Sequence, residues 1–173
     1  MVRKKKNYLY VDGYNIINSW PNLIKIKKHS LEDARYKLVE DMAEFSSLSA
    51  EKVIVVFDAY KEKGIREKYE KRANVTIVYT KAYQTADSFI EKEIHRLARR
   101  ENVRVATGDN QIQQLALERG AIRITANELR AELEAKRKTI RRAKKSDHIT
   151  NKKAFPLSQE VLDKLDKIGK KIE

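Results

Sequence analysis

The sequence predicts a three-layer α/β/α sandwich built on a mainly parallel sheet, and two patterns carry this prediction. Short apolar runs alternate along the chain with longer segments in which apolar residues recur every three or four positions. Residues 53–57 are apolar at five consecutive positions, as in a central strand that helices cover on both faces. Strands that alternate with helices imply parallel crossover connections, and therefore helices on both sides of one sheet.

Five short segments have the composition of strands, because they are rich in β-branched and aromatic residues. The first of them ends in an acidic residue, Asp12, which is followed at once by Gly13. The strands are predicted at residues 8–12, 53–57, 75–79, 103–107 and 121–125.

The longer segments carry apolar residues at helical spacing. In the first of them, Ser30 is the predicted N-cap, with Asp33 three residues later. The charged residues 61–72 are predicted to form a solvated loop or a short helix, and residues 146–156 a flexible segment. Helices are predicted at residues 30–48, 86–100, 110–119 and 127–145, with a last amphipathic helix that begins at Ser158.

The balance of charge favours a polyanionic partner. The 173 residues include 38 Lys and Arg against 25 Asp and Glu, which gives a formal charge of +13 and a pI near 9.8. Nucleic acid or an RNA-rich particle is the specific interpretation of this excess, and a soluble protein with a charged surface is the plain alternative.

The chain lacks the sequence features of a secreted or membrane protein. The basic start leads into an apolar run that Asp12, Gly13 and Asn15 interrupt, so no signal-peptide core forms. No run approaches the roughly 20 apolar residues of a membrane span, and the absence of cysteine excludes disulfides and thiolate metal sites. We expect a cytoplasmic protein with no membrane partner, divided into a compact domain at residues 1–135 and a basic extension at residues 136–173.

Acidic residues stand where predicted strands end. Asp12, Asp58 and Asp109 follow strands, and Asp87 begins the helix after the third strand, with Glu91 one turn later. In a parallel sheet these positions share one edge, where open α/β sheets bind their ligands. Each acid also has a structural alternative, as a turn residue, a helix N-cap or a solvated partner of a nearby cation.

Several carboxylates at one edge point to a divalent cation. They repel one another and raise one another's pKa unless a cation neutralises them, and Mg²⁺ or Mn²⁺ prefers such oxygen ligands. Such an ion can activate water and stabilise charge on a scissile phosphate. Asn15 lies at the same edge and can orient Asp12 or hydrogen-bond a phosphate. The lack of cysteine and the presence of only three histidines argue against zinc.

Four motifs in order carry a family resemblance. They are Asp-Gly-Tyr-Asn at residues 12–15, Val-Val-Phe-Asp at 55–58, Thr-Ala-Asp-Ser-Phe-Ile-Glu at 85–91, and Thr-Gly-Asp-Asn at 107–110. Together they resemble the NYN subgroup of PIN-like nucleases, and more narrowly its bacterial YacP type, over about residues 7–135.

The resemblance implies a PIN-like (NYN) fold and a metal-dependent endoribonuclease. For the YacP type it further implies association with the ribosome and cleavage of messenger RNA during translation. Matched by motif, the catalytic positions are Asp12, Asn15, Asp87 and Asp109, the three acids being the metal ligands, with Asp58 and Glu91 as supporting acids. Many PIN-like nucleases offer a further acid from a helix between the first two strands, for which Glu32, Asp33, Glu40, Asp41 and Glu44 are the candidates here.

Candidate RNA contacts lie between these motifs and after the last of them. Lys81 precedes the acidic helix, where it could meet a phosphate or be a plain surface lysine. The densest positive run is a candidate phosphate-contacting arm, with a solvated helical tail as the alternative. Its cations are Lys136, Arg137, Lys138, Arg141, Arg142, Lys144 and Lys145. Tyr14, Trp20, Tyr60 and Tyr83 are predicted to stack on bases or to belong to the core.

The leading hypothesis is a Mg²⁺- or Mn²⁺-dependent endoribonuclease that is associated with the ribosome and cleaves messenger RNA. The alternative is a non-catalytic RNA- or ribosome-binding module on the same fold. A third hypothesis is a structure-specific nuclease that acts on DNA. The oligomeric state is not predicted.

Overall fold

The structure is a computed structural model that describes residues 3–59 and 66–153, with side chains described up to residue 146. The strands are β1 (Asn7–Asp12), β2 (Lys52–Phe57), β3 (Lys68–Arg72), β4 (Val75–Tyr79), β5 (Asn102–Ala106) and β6 (Ile122–Ile124). The helices are α1 (Gly13–Ser19), α2 (Pro21–Lys27), α3 (Leu31–Ser49), α4 (Ala86–Leu97), α5 (Asn110–Glu118) and α6 (Ala126–Lys153).

The strands form one sheet in the order β3-β4-β2-β1-β5-β6, parallel except for the β3–β4 pair. One face packs on α1, α2, α3 and the start of α6, and the other on α4 and α5, each through its own apolar core. The predicted three-layer sandwich is therefore confirmed. Asp12 pairs with Val56 of β2, and its neighbour Val11 pairs with Ala106 of β5, so the carboxyl ends of these strands are level.

The prediction of a loop or short helix over residues 61–72 is wrong for Lys68–Arg72. These residues form the edge strand β3, which a tight turn through Ala73 (φ 52°) connects to β4. The charged side chains remain largely in water while the backbone pairs on one side, which is how charged edge strands resist aggregation. Residues 60–65 lie outside the described residues.

Two helices between β1 and α3 were not predicted. They are α1, which starts directly at the end of β1, and α2, which Pro21 begins at its first position. Trp20 stands between them and is 1% exposed, with its indole N–H donating to the Ala126 carbonyl at 2.8 Å. The core alternative for Trp20 is therefore confirmed, because a buried ring cannot stack on RNA.

The basic region is helical further than expected. Residues 146–153 were predicted to be flexible, and that is wrong because α6 continues through Lys153. No proline or glycine interrupts residues 126–153, and the next helix breaker is Pro156. The predicted helix after Ser158 lies outside the described residues.

Contacts divide the chain between Glu134 and Ala135 into two units, of which the first holds the sheet. In the second, five cations of α6 are exposed: Lys138, Arg141, Arg142, Lys144 and Lys145. Lys136 and Arg137 are half-buried. Over residues 3–59 and 66–153, none of the helices combines the length and the apolarity that a membrane crossing requires.

Candidate active site

Polar residues stand at the carboxyl ends of four neighbouring strands. Asp12 is the last residue of β1, and Asp58, Thr80 and Thr107 come directly after β2, β4 and β5. Because these strands are parallel and level, the four positions share one edge of the sheet. The same edge receives the start of α4, with Asp87, and the start of α5, with Asp109 before it.

Asp12 lies at the centre of this edge and is largely buried. Burial, together with the charges of Asp87, Asp58 and Asp109, raises the pKa of its carboxyl to about 6, against the hydrogen bond from the Asn15 backbone N–H. That N–H donates to Asp12 Oδ1 at 3.2 Å. The charges of Asp58, Asp87 and Asp109 act on Asp12, and those of Asp58 and Asp109 also act on Asp87. These four predicted aspartates are here called the aspartate cluster.

Asn15 connects β1 to the loop that carries Asp109. Its side-chain Oδ1 accepts a hydrogen bond from the Gly108 backbone N–H at 2.8 Å. A Cβ on Gly108 would lie 2.8 Å from the Asn15 amide nitrogen, and a Cβ on Gly13 would overlap the Phe57 ring. The two glycines therefore permit close approaches, and the Asp-Gly-x-Asn motif sets the spacing between β1, β2 and the α5 entry.

Asp58 and Asp87 meet at the start of α4. Asp58 Oδ1 accepts a hydrogen bond from the Ala86 backbone N–H, and burial raises its pKa against that bond. Burial also raises the pKa of Asp87, with added repulsion from Asp109 and Asp58. Asp87 Oδ1 is buried and has no hydrogen-bond partner within the part of the chain that the structure describes. A buried acceptor of this kind is a site for a water molecule or a cation.

The N-cap alternative for Asp109 is confirmed, and Asp12, whose alternative was a turn that leaves the strand, is a helix N-cap as well. Asp109 Oδ1 accepts from the Gln111 N–H at 2.7 Å and the Ile112 N–H at 3.2 Å, so it caps α5 as Asp12 caps α1. Capping uses Oδ1 in both residues. Across residues 3–59 and 66–153, no three Asp, Glu or His side chains are grouped so that all could bind one ion directly.

Three other predicted acidic or basic positions have different surroundings. Glu91 is half exposed, and its Oε1 lies 3.8 Å from His95 Nε2, so the structure places it beside an imidazole ring. Lys81 is exposed in a turn in which its carbonyl accepts from the Gln84 N–H at 3.1 Å. Among the α3 acids, Asp41 is buried and paired with Lys37 at 2.9 Å.

Of the remaining aromatic candidates, Tyr14 packs inside the protein and Tyr83 lies on the surface. Tyr14 packs on Phe57, with 5.1 Å between ring centroids. Tyr83 is fully exposed and has a φ of 65°, a conformation that a bulky residue rarely adopts. Tyr60 lies outside the described residues.

Thr80, Gln84 and Thr107 belong to this edge and were not predicted. Thr80 Oγ1 accepts from the Ala59 N–H at 3.1 Å and donates to the Gln84 carbonyl at 2.6 Å, which holds the β4–α4 loop against the end of β2. Thr107 Oγ1 accepts from the Asp109 N–H at 3.1 Å. Gln84 Oε1 is a second buried acceptor without a partner among the described residues. For Thr80 and Thr107, the sequence signal that could have indicated this position is a threonine directly after a strand.

Comparisons with known proteins agree on one family. The model of the YacP-like NYN domain matches residues 9–170. YacP of Bacillus subtilis is 41% identical over 164 residues, which cover 92% of this chain and 94% of that protein. The crystal structure of Rae1 (YacP) from Bacillus subtilis matches with a TM-score of 0.68 and 38% identity over 95% of each chain. The crystal structure of a tryptophan-to-leucine mutant of Rae1 matches with a TM-score of 0.69 and 38% identity over 90% of each chain.

These matches confirm the family resemblance and the NYN fold. The family model runs on to residue 170, so it does not divide the chain, and the division into residues 1–135 and 136–173 stays a prediction. NYN domains are PIN-like nucleases, which supports a nuclease here. The chain belongs to the YacP-like NYN domain family.

Proposed function

We propose that the protein is a divalent-metal-dependent endoribonuclease that cleaves messenger RNA in association with the ribosome. The observation that carries the proposal is the buried, unpartnered Oδ1 of Asp87 within the aspartate cluster. The charges of Asp58 and Asp109 raise the pKa of both Asp12 and Asp87, so ionising these two carboxyls is unfavourable unless a cation occupies their edge. Membership of a family of PIN-like nucleases supports the same conclusion.

The donor set fits a hydrated Mg²⁺ or Mn²⁺. Such ions commonly bind through one or two carboxylates, keep several waters and take the remaining ligands from substrate phosphates. Asp12, Asp87 and Asp109 would hold the ion, Asp87 through its free Oδ1 and the two capping residues through Oδ2 or water. The bound cation would acidify an attacking water and neutralise charge on the scissile phosphate.

The protein residues then have distinct tasks. Asn15 holds the Gly108 loop, and so keeps Asp109 at a constant distance from β1. Asp58 fixes the first turn of α4 through the Ala86 N–H, which holds Asp87 in place. Asp58 is therefore a supporting residue, and Glu91, paired with His95, is at most an outer electrostatic contribution.

RNA affinity would come from cations, without base recognition. Lys81 is exposed and directly follows Thr80, which lies at the carboxyl edge of the sheet. The exposed cations of α6 form a dense basic surface of their own unit, suited to phosphate contacts or to a ribosome. The resemblance to the YacP type is what supports the ribosome and messenger RNA as partners.

A second candidate is a non-catalytic RNA- or ribosome-binding module. It is favoured by the capping roles of Asp12 and Asp109, and by the absence from the described residues of three acids that could bind one ion together. The two candidate functions differ in whether the aspartate cluster binds a metal ion and cleaves RNA.

The test compares wild type with Asp87→Asn, and uses Glu118→Gln as a control that removes one exposed acid at the far end of α5. Each protein is incubated with matched RNA and DNA oligonucleotides and Mn²⁺, and its thermal unfolding is measured with and without Mn²⁺. We expect wild type and Glu118→Gln to cut RNA and to gain stability with Mn²⁺, and Asp87→Asn to do neither.

An absence of Mn²⁺ stabilisation in all three proteins, together with RNA binding but no cleavage, would establish the binding module instead. Cleavage of DNA in preference to RNA would assign the site to the third hypothesis.

A further inference from the structure

A second concave site lies beside the aspartate cluster, on the α3 face of the sheet. It is a pocket of about 250 Å³ between α3 and the strands β2, β3 and β4, here called the α3 pocket. Its wall includes three cations and three aromatic rings: Arg35, Lys68, Arg72, Tyr36, Phe57 and Tyr79.

The α3 pocket adjoins the carboxyl edge of the sheet. Phe57, in its wall, directly precedes Asp58. The Phe57 ring also packs on Tyr14, two residues after Asp12. Lys68 pairs in register with Tyr79, the last residue of β4, and so lies at this same edge. A chain that crosses the aspartate cluster can therefore continue into the pocket.

The cations of the pocket rest on aromatic rings. The Arg72 guanidinium carbon lies 4.7 Å from the Tyr36 ring centroid, and Lys68 Nζ lies 5.8 Å from the Tyr79 centroid. Such contacts are weak at exposed positions, as is the exposed pair of Lys68 with Glu70 at 2.7 Å. A phosphate offers these cations a stronger, charge-assisted hydrogen bond.

Net charge and ring surface in the pocket match a nucleotide. Three cations face two acids, Glu32 and Glu70, so the wall is net positive. Tyr36 is 51% exposed and Tyr79 is half-buried, so both offer ring surface to a base. Phe57 is buried and supports Tyr79, on which it stacks at 5.9 Å with 26° between the ring planes. Aromatic rings beside cations are the usual surface on which unpaired bases stack.

We propose that the α3 pocket is a nucleotide subsite that holds one nucleotide of single-stranded RNA adjacent to the scissile phosphate. Lys68 and Arg72 lie four residues apart on β3, so they contact the phosphates on either side of this nucleotide. Arg35 contacts its ribose, and Tyr36 its base. This inference rests on the proposed function, because it assigns the pocket to the same RNA. An acidic peptide is the less favoured occupant, because it would leave the aromatic surface unused.

The test measures the binding of a labelled single-stranded RNA of about ten nucleotides to proteins that all carry Asp12→Asn. The pocket variants are Arg72→Gln and Tyr36→Ala, which change exposed side chains. Arg100→Gln is the matched control, because Arg100 is an exposed arginine that follows α4, which packs on the opposite face of the sheet from α3. Thermal unfolding confirms that each variant is folded.

We expect Tyr36→Ala to weaken binding about tenfold, as the loss of one stacked base does. Arg72→Gln should weaken binding severalfold and reduce the slope of log affinity against log salt by about 0.7, while Arg100→Gln changes binding least. Equal effects of Arg72→Gln and Arg100→Gln, with no effect of Tyr36→Ala, would overturn the subsite. So would competition by a polyglutamate peptide that exceeds competition by unlabelled RNA.

Cleavage assays distinguish a failure of the nucleotide subsite from a failure of the proposed function. In proteins that retain Asp12, the same pocket variants should raise KM for RNA more than they lower kcat. If wild type cuts no RNA, the proposed function fails whatever the pocket variants do. If wild type cuts RNA and the pocket variants keep its KM, the subsite alone fails.

Discussion

Replacing Asp12 with asparagine should stabilise the fold while it removes activity. The carboxyl has a pKa of about 6 in the folded protein because it is buried among other acids, against about 3.9 for a free aspartate. At about 1.4 kcal/mol for each pKa unit, ionising Asp12 costs the folded state about 3 kcal/mol at pH 7. Asparagine caps a helix as well as aspartate does, so Asp12→Asn relieves the cost and keeps the cap.

The upward shift of the Asp12 pKa determines how the stabilisation by Asp12→Asn depends on pH. Between pH 4 and pH 6 the folded protein binds more protons at Asp12 than the unfolded chain does, so wild-type stability falls as the pH rises through this window. The advantage of Asp12→Asn is therefore absent near pH 4 and complete above pH 6. For a chain of this length, 3 kcal/mol corresponds to a Tm higher by about 6–12 °C.

The assay is thermal unfolding in EDTA from pH 4 to pH 7.5, for wild type, Asp12→Asn and the control Glu118→Gln. Removal of metal is essential, because a bound cation would stabilise the ionised wild type by linkage. An unchanged Tm for Asp12→Asn at pH 7, or a gain that is the same at pH 4, would refute the buried-carboxylate account.

Three further predictions concern other residues. Asn15→Ala removes the acceptor of the Gly108 N–H. We expect kcat for cleavage to fall by at least about tenfold, and the free energy of unfolding in urea to fall by about 1 kcal/mol. Full activity of this variant would contradict the role of Asn15. Tyr83→Gly removes an exposed ring from a positive-φ position, so denaturation should show stability unchanged or higher by up to ~1 kcal/mol while RNA binding weakens; a clear loss of stability would show that the ring is structural. Replacing Arg141 and Arg142 together with glutamine should reduce the salt slope of RNA binding by about 1.4, and an unchanged slope would exclude these residues from phosphate contact.

The central part of the fold could be predicted because its buried residues are apolar at spacings that a short stretch of sequence reveals. Residues 53–57 of β2 are apolar without interruption and lie between the two helical layers. Ser30 Oγ accepts from the Asp33 N–H at 3.0 Å, as predicted. The edge strand β3 gave no such pattern, because nearly all its side chains remain in water and only its backbone pairing defines it. The short helix α1 starts without a separating loop, so the preceding strand masked its period.

The acids of the site were predictable for a different reason. Asp12, Asp58 and Asp109 follow strands in sequence, and parallel pairing alone brings such positions to one edge. The α3 pocket was not predictable, because Tyr36 and Arg72 meet only where α3 packs on β2 and β4 beside β3, a strand that the composition did not reveal. Capping, likewise, does not exclude a functional role, since Asp12 and Asp109 cap through one oxygen each.

The most direct test of the central claim maps RNA 5′ ends in a purified translation reaction that contains Mg²⁺ and either wild type or Asp12→Asn, with co-sedimentation of each protein with ribosomes in parallel. We expect new 5′ ends within the translated messenger RNA for wild type only, and equal co-sedimentation of the two proteins. The same cleavage pattern with Asp12→Asn would contradict the assignment of the aspartate cluster as the catalytic site.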